Sequence, residues 1–233
     1  GQPDTKFDEG LITKTELHLM DYFQDQLNTQ FPDHQIFRGA PLGNEYTHGS
    51  KRYLWIFDPL DGVANVQAGI PIWGISLALV ENFWPVCGAI FLPATGDEFQ
   101  AVAGREALRG DEVINTASLD SVSDESVLLT YSRFHLQYHT TFPGKIRNMG
   151  CTTAHICYVA QGRADAAIIA NESFQGLAAA RVIIEAAGGK IYKMDGREFF
   201  LNEYLDGGRI NEHLLVTTPG ICHQVLNTLN RTN

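Results

Sequence analysis

The sequence predicts a mixed α+β fold with a largely antiparallel first sheet and a mixed second sheet. Short β-type runs crowd the first half of the 233 residues and are separated by tight turns. From about Val127, strand and helix patterns alternate. The polar residues 115–124, rich in Ser, Asp and Thr, lie between the two patterns and are the best candidate linker. We therefore expect an N-terminal half, residues 1–120, and a C-terminal half, residues 121–233.

The first half begins with one amphipathic helix. Thr13 and Glu16 have the spacing of a capping box, and apolar residues then recur on one helical face until Phe31-Pro32. Strand signals follow over residues 36–37, 53–57, 74–80, 86–92 and 98–103. Because Glu81-Asn82 leaves room only for a tight turn between two of these runs, the strands are expected to form a meander.

The second half alternates between strand and helix. Strand patterns cover residues 127–130, 164–170, 190–194 and 213–217, and helical patterns cover residues 152–160, 177–187 and 221–229. Gly162 and Gly188-Gly189 follow the first two helices, where glycine commonly ends a helix. Such alternation builds layers of helices on a sheet.

The composition excludes several classes of protein. Acidic residues outnumber basic ones by 27 to 17, whereas a nucleic-acid surface needs a basic footprint, so no nucleic-acid partner is expected. No run reaches the roughly 18 apolar residues of a membrane helix, so no membrane partner is expected either. The cysteines show no CxxC pairing, which favours reduced thiols and a cytoplasmic location.

The stretch FDPLDGVAN, residues 57–65, directly follows an apolar run. Proline pushes Asp58 toward extended geometry, which places it at a strand tip. Asp61 and Gly62 suit the start of a short helix through Ala68. Mg²⁺ prefers one or two carboxylates with phosphate oxygens and water, and helix N-termini bind phosphate. The spacing therefore indicates a metal-assisted phosphate site, although ordinary turn closure and helix capping would produce the same residues.

Several motifs, in the same order, resemble the inositol monophosphatase family. The family signature D-P-[IL]-D-G-T-x-N, with the G-x-P segment and strand that follow it, is similar to WIFDPLDGVANVQAGIPIWGISLAL. Its opening motifs resemble KFDEGLITKTE and FPDHQIF. Two later segments resemble MGCTTAHICYVAQGRADAAI and LAAARVIIEAAGGKI. Order and spacing agree from about Lys6 to Ile191.

The resemblance implies a Mg²⁺-dependent phosphomonoesterase with the layered α-β-α-β-α sugar-phosphatase fold, usually a homodimer. Its substrate would be a small phosphate monoester of the sugar or inositol type. Carried over by position, Asp58 and Asp61 are catalytic and bind metal together with the Leu60 carbonyl. The N–H groups of Gly62 and Val63 would face the phosphate. Metal ions that act as Lewis acids, water activators and templates suffice for such a displacement.

Three positions depart from the family pattern. Val63 replaces the threonine that helps to activate water. The acidic pair expected after QIF is absent, because residues 38–41 read RGAP. Gly176 replaces the aspartate of the W-D-x-A-A segment. Since a two-metal mechanism needs several anionic ligands, binding of a single metal is expected.

Three glutamates are candidates to replace the missing ligands. Glu16 keeps a carboxylate near the first motif, or else belongs to the capping box of Thr13. Glu45 and Glu172 either converge on the two aspartates or lie in surface loops. The departures also leave a second hypothesis open, in which the chain is a catalytically impaired family member that serves as a binding or regulatory protein.

Overall fold

The computed structural model describes residues 14–37, 52–82, 84–201 and 209–232. In chain order, the first half contains α1 (Lys14–Gln30), β1 (Gln35–Ile36), β2 (Tyr53–Asp61), α2 (Val63–Ala68), β3 (Gly74–Glu81), β4 (Trp84–Leu92), β5 (Asp97–Val102), β6 (Ala107–Arg109) and β7 (Glu112–Ile114). These strands form one sheet in sequence order. Only β1 and β2 pair in parallel, so the predicted antiparallel character is confirmed.

The second half contains β8 (Val127–Thr130), α3 (Phe134–Gln137), β9 (Tyr138–Thr140), β10 (Lys145–Arg147), α4 (Thr152–Ala160), β11 (Ala166–Ile169), β12 (Glu172–Ser173), α5 (Phe174–Ala186), β13 (Lys190–Lys193), β14 (Arg209–Ile210), β15 (Leu214–Thr217), α6 (Cys222–Asn227) and β16 (Leu229–Arg231). The second sheet has the order β10-β8-β11-β15-β13. Strand β8 is parallel to both neighbours and β15 is antiparallel to both, so the predicted mixed sheet is confirmed. Two small ladders pair β12 with β14 and β9 with β16.

Helices α4 and α5 fill the space between the two sheets. Both are apolar around most of their circumference, as a helix buried on all sides must be. Leu177 of α5 joins one core with Ile90 of the first sheet and Ala167 of the second. The two halves therefore share a core, and the division into residues 1–120 and 121–233 stays a prediction.

The outer layers follow from the alternation of side chains along the strands. Leu54 and Ile56 of β2 face the shared core, so Phe57 points to the other side of the sheet. There the ring of Phe23 on α1 stacks on Phe57 with 4.6 Å between centroids. On the far side of the second sheet, α3 and α6 cover a second apolar cluster that includes Leu215. The layered α-β-α-β-α architecture is confirmed.

Some boundaries differ from the sequence-based expectations. Strand β2 does not stop at Asp58 but continues to Asp61 through an irregularity in its register with β3. The expected helix over residues 221–229 ends earlier, because Leu229 begins β16. The sequence does not predict β6, β7, β9, β10, β12, β14 or α3, since two to four residues are too few to show a period. None of the helices within the described ranges is long and apolar enough to cross a membrane.

The backbones of β4 and α5 meet at Gly88. A Cβ atom on Gly88 would lie 2.5 Å from the carbonyl oxygen and 2.9 Å from the Cα of Ala179 on α5. Neither backbone can move apart without disturbing the packing of its strand or helix. We therefore expect Gly88→Ala to lower the free energy of unfolding by about 1–3 kcal/mol. Denaturant unfolding followed by circular dichroism measures this difference.

The matched control is Ala89→Ser, which adds one atom at the next, exposed position of the same strand. It should change the free energy of unfolding by less than about 0.5 kcal/mol. Equal stability of Gly88→Ala and the wild type would contradict the close contact.

The buried His155 on α4 should make stability depend on pH. Its Nε2 accepts a hydrogen bond from the Met149 N–H at 3.1 Å, and burial lowers the pKa of His155 to about 4, against a smaller opposing effect of Asp61. An unfolded histidine has a pKa of about 6.5. Between these values the unfolded state binds more protons, so acidification destabilises the fold, by about 2–3 kcal/mol between pH 7 and pH 4.

His155→Gln should remove this contribution, so that its free energy of unfolding falls less steeply with decreasing pH than that of the wild type. Unfolding by urea at several pH values between 7 and 4 measures the slope. His139→Gln, at an exposed position, is the control and should keep the wild-type slope. Parallel curves for all three proteins would count against a buried neutral His155.

Candidate active site

A cavity of about 490 Å³ opens where β2 and α2 meet the beginning of α4. Its lining includes Asp61, Gly62 and Val63 from the quoted motif and Thr152 from α4. Strand β12 contributes Glu172. The structure thus brings part of the predicted site together with residues more than 90 positions further along the chain.

The Asp61 carboxylate lies against the first turn of α4. Asp61 is buried, and its Oδ2 accepts a hydrogen bond from the Thr153 N–H at 2.7 Å. The first N–H groups of a helix have no partner within the helix, and Cys151, at the N-cap of α4, offers no side-chain cap. Asp61 therefore caps α4. The expectation that it caps α2 is wrong, because Gly62 is the N-cap of α2 and no side chain caps that helix.

Cys151 supports the same carboxylate. Its thiol donates to Asp61 Oδ2 across 3.4 Å. Burial, followed by the negative charge of Asp61, raises the pKa of the Cys151 thiol well above its ordinary value. The thiol therefore stays protonated and acts as a donor, not as a nucleophile. The cysteines, Cys87, Cys151, Cys157 and Cys222, are all free.

Gly62 allows the chain to turn from β2 into α2. Its φ of 88° lies in the left-handed region that favours glycine. A Cβ atom on Gly62 would also lie 3.0 Å from the Ile72 carbonyl oxygen. The backbone around Gly62 and Val63 can therefore approach its neighbours closely, as a phosphate-binding turn requires.

Asn65 fastens the motif to the segment before α4. Its Nδ2 donates to the carbonyl oxygens of Ile72 and Met149, both at 2.7 Å. Gly150 passes so close that a Cβ atom there would lie 2.7 Å from Asn65 Oδ1. The quoted motif contains Asn65, but its spacing gave no indication of this positioning role. His155, which binds the Met149 N–H, holds the same segment from the other side.

Asp58 occupies a different position from Asp61. Its Oδ1 accepts a hydrogen bond from the Leu60 N–H at 3.3 Å, across Pro59. Asp58 and Leu60 are not among the described residues that line the cavity. This geometry matches the alternative in which Asp58 closes a turn, and the metal-binding roles of Asp58 and the Leu60 carbonyl stay predictions.

Of the three candidate glutamates, Glu172 lies in the cavity. It is buried rather than in a surface loop, and its Oε1 accepts a hydrogen bond from Thr152 Oγ1 at 2.7 Å. Pairing of β12 with β14 holds it there. Glu16 lies in the first turn of α1 and is not among the described lining residues. Glu45 lies outside the described residues.

Two arginines add positive charge to the cavity. Arg133 precedes α3, and Arg209 lies on β14 next to the strand that carries Glu172. The sequence carries no signal for either residue, because each stands alone in an unremarkable segment. Together with Asp61 and Glu172 they give a cavity lined by charges of both signs.

The described donors fit one Mg²⁺ better than two. Within the described ranges, no group of three His, Cys, Asp or Glu side chains could hold a metal ion. A two-metal site needs more anionic ligands than the two carboxylates, Asp61 and Glu172, that line the cavity within these ranges. A single Mg²⁺ needs only one or two carboxylates when phosphate and water complete its shell, and Asp61 and Glu172 are of that type.

Comparison with known proteins agrees with the motifs and the fold. The chain is 27% identical over 206 residues to a histidinol-phosphatase of Chlorobaculum parvum, covering 85% of this chain and 78% of that protein. It is 30% identical over 184 residues to the Nus factor SuhB of Xylella fastidiosa, covering 74% and 65% respectively.

The solved structure of a Thermotoga maritima IMPase matches with a TM-score of 0.77 and 26% identity, over 93% of this chain and 82% of that one. The model of the inositol monophosphatase family matches residues 2–227. The chain therefore belongs to the inositol monophosphatase family and, with it, to the phosphoric monoester hydrolases.

Proposed function

We propose that the protein hydrolyses a small phosphate monoester of the sugar or inositol type in a Mg²⁺-dependent reaction. The observation that carries this proposal is the buried Asp61 carboxylate, held against the first turn of α4 at the wall of a cavity large enough for a phosphorylated sugar. The names of the relatives support a phosphate monoester as the class of substrate, but they do not identify a particular substrate.

The phosphate group would bind where two helices begin. The N–H groups of Gly62 and Val63 precede or start α2 at the wall of the cavity, and Thr152, the first residue of α4, lines the same cavity. N–H groups in a first helical turn lack partners within the helix and favour negative charge. Arg133 and Arg209 add charge that attracts the ester.

Asp61 and Glu172 would hold the Mg²⁺, with Asp58 and the Leu60 carbonyl as further predicted ligands. When bound, the ion supplies Lewis-acid neutralisation of charge on the phosphate oxygens and lowers the pKa of a coordinated water. Asp61 is suited to this task because the Thr153 N–H and the Cys151 thiol fix its orientation. A ligand held by such partners loses little freedom when it binds.

The pair formed by Thr152 and Glu172 replaces the hydroxyl that Val63 lacks. The Thr152 hydroxyl donates a hydrogen bond to Glu172 Oε1, so its lone pairs can accept a hydrogen bond from a water molecule in the cavity. The carboxylate makes the hydroxyl a stronger acceptor by polarising it. We assign to this pair the orientation of the attacking water.

A second candidate function is a binding or regulatory role for a catalytically impaired family member. It is favoured by Val63 and by the lack of a three-donor metal cluster among the described residues. In that case the cavity would retain a phosphate ester without turning it over. A homodimer and a cytoplasmic location also stay predictions, the former from the family resemblance and the latter from the cysteine usage.

Asp61→Asn should lower the rate of phosphate release at least about 100-fold, because it removes the best-oriented carboxylate of the cavity. Phosphate release is measured on inositol phosphate, fructose bisphosphate and histidinol phosphate, with millimolar Mg²⁺ and with EDTA. The wild type should be active only with Mg²⁺. Asp111→Asn, at an exposed position, is the control and should keep wild-type rates.

Turnover that is unaffected by EDTA would contradict the metal-dependent mechanism. No turnover of any ester by the folded wild type, combined with retained binding of an ester, would establish the second candidate function instead.

Thr152→Val should lower kcat about 100-fold with little change in KM, because it removes the hydroxyl proposed to orient water while keeping the shape of the side chain. Steady-state kinetics on the best ester separate the two parameters. Thr116→Val is the control, since Thr116 Oγ1 bonds the Ala187 carbonyl outside the cavity. An unchanged kcat in Thr152→Val would remove this pair from the mechanism.

A further inference from the structure

A second polar cavity, of about 410 Å³, lies on the surface beside the ladder of β9 and β16. Cationic side chains line it from three places in the chain: Lys193 at the end of β13, Arg197 after the following turn, and Arg231 on β16. Tyr138 and His213 also line it. We call this group of five residues the basic cavity.

Two carboxylates, those of Asp195 and Glu212, also line this cavity and form ion pairs with two of its cations. Lys193 Nζ lies 3.4 Å from an oxygen of Glu212, and the Arg197 guanidinium lies 2.7 Å from an oxygen of Asp195. Arg231 forms no ion pair within the part of the chain that the structure describes. Among the described residues that line it, three cationic side chains stand against two carboxylates, in a chain whose net charge is −10.

Strand pairing fixes where Arg231 lies. Arg231 stands directly opposite Tyr138 in the antiparallel ladder, and side chains of directly opposed residues lie on the same face of a sheet. The side chain is exposed, so an anion can reach its guanidinium from solvent. A guanidinium can bind two oxygens of one phosphate at once.

His213 supplies a neutral donor beside these cations. Its Nδ1 lies 2.8 Å from the Tyr138 hydroxyl. Burial and the neighbouring Arg231 lower the pKa of His213, so the ring is neutral at pH 7. When the tyrosine donates to Nδ1, the ring carries its proton on Nε2 and is itself a donor.

The basic cavity is separate from the catalytic cavity but adjoins it. Tyr131 lines the catalytic cavity, and its ring centroid lies 5.3 Å from that of His213. The Tyr131 hydroxyl donates to Gln137 Oε1, which lines the same catalytic cavity. One layer of aromatic rings thus forms the wall between the two cavities.

We propose that the basic cavity is a second anion site, which binds a phosphate-type oxyanion either as inorganic phosphate or as the phosphoryl group of a small molecule. The cationic side chains supply charge, Arg231 supplies a planar pair of donors, and His213 supplies a neutral N–H. These donors come from separate segments of the chain. They suit a compact tetrahedral anion better than an extended acidic chain, because the cavity is small and bordered by the carboxylates of Asp195 and Glu212.

Equilibrium dialysis with radiolabelled inorganic phosphate at low ionic strength tests the site. The double variant Lys193→Gln/Arg231→Gln should bind about one phosphate per chain less than the wild type. The control Lys190→Gln/Arg147→Gln removes the same charge, from the same strand β13 and from the exposed end of β10, and should bind as the wild type does. Equal binding by both double variants would overturn the proposal.

Two further measurements sharpen the result. Arg231→Gln alone should weaken phosphate binding about 10-fold. Because this single change is at an exposed position, it tests the site even if the double variant misfolds. Methylphosphonate represents a phosphoryl group attached to a small molecule. If it competes with labelled phosphate, the natural ligand is a phosphoryl group, and if it does not compete, the natural ligand is free phosphate. Ester turnover at saturating substrate should stay within about 2-fold of the wild type. A parallel loss of turnover would assign these residues to catalysis and overturn a separate site.

Discussion

The site depends on one contact, between the carboxylate of Asp61 and the first turn of α4. A buried carboxylate is costly unless hydrogen bonds and favourable charge compensate for its lost hydration. Asp61 receives both, from the Thr153 N–H and the positive end of the helix. Because Asp61 ends a strand of the first sheet and α4 belongs to the central layer, the contact also fixes the sheet relative to the helices.

Neighbouring polar groups make that contact specific. In the segment between β10 and α4, Met149 and Cys151 pack against the shared core, and hydrogen bonds fix the backbone of Met149. Asn65 Nδ2 donates a hydrogen bond to the Met149 carbonyl oxygen, and His155 Nε2 accepts a hydrogen bond from the Met149 N–H. A buried polar network stabilises a unique arrangement only when its members are satisfied. Here the same network that satisfies Met149 brings Cys151 to the Asp61 carboxylate, so fold and site are held by the same bonds.

The sequence predicts the layers well and the site only in part. Apolar patterns identify α4, α5 and the longer strands of both sheets, because elements buried on one or all sides leave a clear period or a continuous apolar run. The contact of Asp61 with α4 was not predicted, because local spacing suggests a place at the start of α2, whereas the partner of its carboxylate, Thr153, lies 92 residues further on. Glu172 has the same difficulty, since its burial comes from pairing of two-residue strands that show no period. Arg133 and Arg209 reach the cavity through tertiary packing alone.

The charges of the cavity explain how its departures from the family pattern fit together. Gly176, in the position of a family aspartate, is buried in the first turn of α5, where its N–H binds the Ser173 hydroxyl. A carboxylate there would add negative charge near Glu172 and would raise the affinity for cations. Among the described lining residues, the carboxylates of Asp61 and Glu172 then stand beside the guanidinium groups of Arg133 and Arg209. Fewer acids weaken the hold on a metal ion and strengthen the hold on an anion by the same Coulombic term. Compared with the family pattern, the described residues of the cavity are therefore expected to hold a metal ion less tightly and the anionic phosphate ester more tightly.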